Sequence, residues 1–114
     1  MTQKDKQLLL IDLCTRLPYN VAIRCTGRDA DYNCFLTTDI LHEIQNGDEY
    51  YDYKPYLRPM SSMTEKEKVA MKSDLFSEFT AEGFDWLNAH HFDYRGLIPM
   101  GLALEAKEGM YKTE

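Results

Sequence analysis

The spacing of apolar positions shifts along the chain, and each shift predicts a different element. Leu9, Leu10, Leu13, Cys14 and Leu17 recur at three- and four-residue intervals, which lays one apolar stripe along a helix. Thr2 stands three residues ahead of Asp5, and Arg16 precedes Pro18. An acid suits the first turn of a helix, a base suits the last, and proline cannot continue the ladder. A helix is therefore expected over residues 4–17. From Val21 the period drops to two, with Val21, Ile23 and Cys25 on one side, as in a strand with one buried face. Gly27, Arg28, Asp29, Ala30 and Asp31 carry turn chemistry, and residues 32–38 read as the returning strand. Ile40, His42 and Ile44 suggest a third strand, with a helix over residues 39–45 as the competing reading. Asn46, Gly47 and Asp48 would end it, and residues 50–53 would add a short fourth strand. An antiparallel meander is the economical arrangement.

Prolines then punctuate the pattern. Pro55 and Pro59 bracket Tyr56, Leu57 and Arg58, and a residue before proline avoids the helical region, so this segment is expected to be extended. Thr64, Glu65, Lys66 and Glu67 form a capping box that opens a helix running to about Lys72. Leu75, Phe76 and Phe79 are apolar enough to be covered. Residues 80–91 predict another helix, with Phe84, Leu87 and His91 on one stripe and Trp86 and His90 beside it. Asp93 can cap a turn ended by Pro99 and Gly101, Leu102 and Leu104 permit a brief last strand, and residues 108–114 are expected to fray. The predicted fold is α+β: an N-terminal helix, a three- to four-stranded antiparallel meander, and a helical C-terminal half packed on one sheet face.

Composition bounds this picture. The chain has 114 residues, which suits one domain over residues 1–114, because two cores of half that size would each be marginal. Hydrophobic residues make up 44%, too many for a disordered tail. No apolar run approaches a membrane span, and no signal-peptide segment opens the sequence, so a cytoplasmic protein with no membrane association is expected. The net charge is -6, and neither half of the chain is basic, which argues against nucleic acid as a partner. Cys14, Cys25 and Cys34 are odd in number and form no C-x-x-C pair. They read as small core residues in a reducing compartment, and not as a zinc or disulfide framework.

Two longer runs are distinctive. Residues 54–65 read KPYLRPMSSMTE, and residues 85–98 read DWLNAHHFDYRGLI, followed by GLALEA at residues 101–106. With the opening DLCTRLPY at residues 12–19, they resemble a family of small uncharacterised proteins from gut Bacteroides-type bacteria and their prophages or other mobile elements. The resemblance implies a compact cytoplasmic protein of bacterial or phage origin, and it brings no activity with it.

The candidate chemistry is sparse. His90, His91 and Asp93 form a polar cluster that could ligate a divalent metal or act as acid and base, with His42 arriving from elsewhere. Adjacent histidines on a helix point about 100° apart, and the H-E-x-x-H pattern is absent, so one packed histidine and a capping Asp93 are the plainer reading. Arg58 could tie the extended segment to a helix through a carboxylate. Ser61 and Ser62 lie in no nucleophile elbow, and the dispersed glycines form no phosphate loop, so no cofactor is expected. Tyr50, Tyr51, Tyr53 and Tyr56 crowd one stretch, and tyrosine combines contact area with a polar tip. The leading expectation is a non-enzymatic interaction or regulatory module with an unidentified protein partner. Its surface would use those tyrosines with Arg58, Tyr94 and Arg95. A metal-binding protein or metal-dependent hydrolase built on His90, His91 and Asp93 is the alternative, and a DNA-binding regulator built on the helical half is the second.

Overall fold

The structure, a computed structural model, describes residues 2–46, 51–73 and 81–111. The expected turn at Gly47 and Asp48, Tyr50, the apolar Leu75, Phe76 and Phe79, Thr80 and residues 112–114 lie outside the described residues. Helix α1 (Gln3–Arg16) starts where its capping signal places it, with the Thr2 hydroxyl accepting from the Asp5 amide at 3.0 Å. Its buried face holds Leu9 and Leu13 together with Asp12 and Arg16, while Cys14 of the expected stripe is exposed. A short 3-10 turn at Leu17–Tyr19 and a left-handed Asn20 deliver the chain into β1 (Ala22–Gly27). A hairpin returns it as β2 (Asp31–Phe35), with Ile23 opposite Cys34 and Cys25 opposite Tyr32.

The expected third strand is a helix, α2 (Thr38–Gln45). Ile40 and Ile44 fit a period of two and a spacing of four equally well, so neither decides the element. Leu41 and His42 decide it: Leu41 packs against the core, and His42 is exposed. Thr37 caps the helix by accepting from the Ile40 amide at 3.3 Å. The sheet order changes as a result. A meander would set β3 (Tyr51–Leu57) beside β2, but the order is β2-β1-β3-β4, and β3 pairs antiparallel with β1. Strands β2 and β3 thus run parallel with β1 between them, and α2 is the crossover such a connection requires. The last strand, β4 (Leu104–Glu105), lies parallel to β3. The fold is α+β with a mixed sheet.

Proline fits inside β3 for a geometric reason. The odd residues of β1 turn their backbone groups toward β2, as in the bond from the Leu36 amide to the Val21 carbonyl at 3.0 Å. Ile23 therefore faces Pro55 across a pair without ladder bonds, and the missing N–H removes nothing from that pairing. The core lies on the side of the sheet bearing Ile23, Cys25, Tyr53 and Leu57. Leu9 and Leu13 of α1, Ile40 of α2, and Leu97, Leu102 and Ala103 complete it. Helix α3 (Glu65–Ser73) follows the proline segment, and α4 (Ala81–Ala89) packs on α1. Among the described residues, no helix is long and apolar enough to cross a membrane.

Candidate functional site

Arg58 is where the extended segment meets the helical half. Its amide donates to the His91 carbonyl at 2.7 Å, and its carbonyl accepts from the Asp93 amide at 2.8 Å. Its guanidinium lies over the Phe92 ring, 4.1 Å from the centroid, and grips both oxygens of Glu67. Glu67 also closes the capping box: its Oε1 accepts from the Thr64 amide at 2.9 Å, and its own amide donates to the Thr64 hydroxyl at 3.1 Å. Burial works to raise the Glu67 pKa, but the bonds from Arg58 and Thr64 outweigh it and hold the carboxyl at about 2. Arg58 is thus an internal tie with 6% of its surface exposed.

The two histidines diverge. His90 ends the last turn of α4, stacked on Trp86 at 4.2 Å, with Nδ1 3.8 Å from Glu67. His91 adopts φ 66°, its amide donating to the Asn88 carbonyl while the Phe92 amide donates to the Leu87 carbonyl. That is the left-handed position closing a helix, where glycine is usual. The His91 ring stacks on Tyr111 at 3.8 Å. Burial, then the Arg16, His90 and Arg58 charges, lower its pKa to about 4, so the imidazole is neutral at neutral pH. Asp93 caps the following turn, accepting from the Leu97 and Ile98 amides at 2.8 and 2.9 Å. The three side chains do not converge. Among the described residues, no group of three or more His, Cys, Asp or Glu side chains could hold a metal ion.

Tyr94 and Arg95 enter a cluster that the apolar pattern did not reveal. Arg16 is fully buried and donates to Asp12 through Nε at 2.7 Å and Nη2 at 3.1 Å, and to the Phe92 carbonyl at 2.7 Å. Arg95 Nε donates to the same carboxylate at 3.1 Å, and the Tyr94 ring lies beside both guanidinium groups. The Tyr94 hydroxyl donates to Asn88 at 2.9 Å. The only trace in the sequence is an acid four residues ahead of a base on a predicted helix. Arg16 Nη1 and His91 Nδ1 are buried without a hydrogen-bond partner among the described residues.

Strand alternation divides the tyrosines. Tyr51 and Tyr53 share one face with ring centroids 6.3 Å apart, and Tyr56 points to the other. Tyr53 is buried and donates to Glu43, and burial followed by that bond raises its pKa. Tyr56 is buried and donates to Asn33 at 3.1 Å. Between β1 and β3, the Tyr111 hydroxyl accepts from the Ala22 amide at 2.8 Å and donates to the Tyr56 carbonyl at 2.7 Å, a stitch at the end of the ladder. Of the expected contact residues, Tyr53, Tyr56 and Arg58 are buried and each is bonded to a polar partner within the fold, Tyr53 to Glu43, Tyr56 across the sheet to Asn33, and Arg58 to Glu67. Tyr51 remains 43% exposed.

Among the described residues, the two most exposed aromatic rings lie on β2, which the apolar pattern marks only as a returning strand. Tyr32 is 52% and Phe35 61% exposed, on opposite faces. Among the described residues no strand pairs with the outer edge of β2. Its even residues bond to β1, so the amides and carbonyls of Asp31, Asn33 and Phe35 point outward. The strand has no proline or lysine, and its one charge is matched by Arg24, which donates to both Asp31 oxygens at 3.0 and 3.1 Å. Comparison with known proteins finds no matching family model, no matching curated protein and no matching solved structure.

Proposed function

We propose that this protein is a non-enzymatic interaction module that takes up an extended segment of another polypeptide at the outer edge of β2. The observation that carries the reading is the edge itself. Outward backbone groups on an edge strand are a template for strand addition, and natural proteins usually blunt such edges with lysine, proline or a bulge. Here Asp31, Asn33 and Phe35 offer those groups from a strand without lysine or proline, with Tyr32 and Phe35 exposed on either face. Among the described residues, several side chains with catalytic potential are engaged in holding the fold: Arg58 with Glu67, Asp93 with two amides, Asp12 with two arginines. The motifs at residues 54–65 and 85–98 are what the proposed bacterial or phage origin rests on.

The test places a photoreactive phenylalanine analogue at position 32, with a control at the 64% exposed Val69 on α3, in protein expressed in bacteria. The reading expects a crosslinked adduct from position 32 and none from 69, lost with Asn33→Pro. No adduct, or equal adducts from both positions, overturns it.

A further inference from the structure

We infer that the segment taken up at this edge is β2 of a second copy of the chain, paired antiparallel about a two-fold axis between the two Asn33 residues. The inference rests on the strand-addition reading and names its partner. Antiparallel pairing requires that residues facing each other both turn their backbone groups toward the shared ladder. On β2 those residues are Asp31, Asn33 and Phe35. A two-fold axis at Asn33 sets Asp31 against Phe35 of the second copy, Asn33 against its own counterpart, and Phe35 against Asp31. Every outward residue meets an outward residue over the full strand. Sliding by two residues toward Phe35 leaves Asp31 without a partner.

Side chains agree with this register. Like charges directly opposite each other weaken a sheet, and here no charge faces its own kind, because Asp31 lies at the end of the strand and its counterpart at the far end. Each Asp31 is already neutralised by Arg24, so the edge enters the ladder without net charge. The exposed Phe35 ring comes against the Arg24–Asp31 pair of the second copy, where a guanidinium can lie on its face. On the other face Tyr32 comes against Cys34 of the second copy, covering a ring that is otherwise half exposed. A closed two-fold contact covers the β2 edge of both copies and stops at two, joining the sheets into one of eight strands with the short β4 at each end.

The test is sedimentation equilibrium of the full chain across the micromolar range. A monomer–dimer equilibrium is expected, with little weakening at high salt because the contact is uncharged and the repulsion between two acidic chains is screened. Asn33→Lys sets two ammonium groups against each other at the axis, and Asn33→Pro removes an outward amide that makes no bond to β1. Each should weaken dimerisation by about tenfold or more. Both also take the Asn33 acceptor from the buried Tyr56 hydroxyl and should lower the thermal midpoint of dilute protein. The control is therefore Tyr56→Phe, which loses the same bond, leaves the β2 edge intact and should keep the dimer. Should Asn33→Pro fail to fold, Asn33→Lys and the parent's own mass still decide. A monomer at every concentration, or a dimer that survives Asn33→Lys, overturns the inference. A monomer whose position-32 crosslinker captures a different protein removes self-pairing and leaves strand addition standing.

Discussion

Arg58 holds Glu67 with two guanidinium nitrogens, Nη1 to Oε2 at 2.7 Å and Nη2 to Oε1 at 2.6 Å. The same carboxylate closes the capping box of α3 through the Thr64 amide, so one buried side chain anchors both the proline segment and the start of a helix. Removing it strands a buried guanidinium over Phe92. Glu67→Ala should therefore cost about 3–5 kcal/mol, the range for breaking a buried pair from one side. Arg58→Lys keeps the charge but loses the fork, and its effect should be smaller. Urea denaturation of the three proteins orders them, and an unchanged midpoint for Glu67→Ala would refute the anchoring role.

Acid should weaken the fold in two stages with opposite chemistry. His91 protonates near its ordinary 6.5 when unfolded and near 4 when folded. The unfolded state thus binds more protons between those values. The His91 contribution is complete above about 6.5, falls as pH drops to about 4, and changes no further below that. Glu67 then takes over, its contribution lost as pH falls from its ordinary 4.5 to about 2. Stability measured against pH should lose up to about 1 kcal/mol per unit through the first window. His91→Asn, which tolerates the left-handed backbone, should flatten that window and leave the lower one intact.

Tyr111 tests whether the end of the β1–β3 ladder depends on one hydroxyl. Tyr111→Phe keeps the ring on His91 but leaves the Ala22 amide and the Tyr56 carbonyl without their shared partner. An unsatisfied buried backbone group costs about 1–3 kcal/mol. Hydrogen exchange should speed up at Ala22 well before it does at Ile23, whose amide belongs to the β2 ladder.

The parts of this fold that were legible in sequence are those written in local chemistry. Thr2 with Asp5, and Thr64 with Glu67, place helix starts because capping needs only three residues of chain. Alternation at Val21, Ile23 and Cys25 gives β1 for the same reason. Residues 40–44 misled because Ile40 and Ile44 satisfy both periods, and the sheet order followed that error, since a third strand and a crossover helix lead to different neighbours. The buried Asp12 and Arg16 were invisible to apolar periodicity, which assigns charged positions to solvent. The tyrosines of β3 looked like surface because their partners, Glu43 and Asn33, come from other elements. The exposed edge of β2 depends on the strand order, which no local pattern encodes.

Asp12 and Arg16 separate a structural charge cluster from a functional one. Asp12→Ala leaves Arg16 fully buried beside Arg95 with no carboxylate between them, and should destabilise by about 3–5 kcal/mol. Replacing both charges with apolar side chains of similar shape, Asp12→Leu with Arg16→Met, removes the buried guanidinium with its pair and leaves only the partly exposed Arg95 and the Phe92 carbonyl without their partners. Buried ion pairs exchanged in this way are often neutral or stabilising, so the double variant should recover most of what the single one loses. A double-mutant cycle from urea titrations reads the coupling directly. The cluster lies on α1, away from the edge of β2, so the double variant should also keep its self-association in sedimentation. Loss of association without loss of stability would move the binding surface from β2 to the neighbourhood of Arg95 and Tyr94.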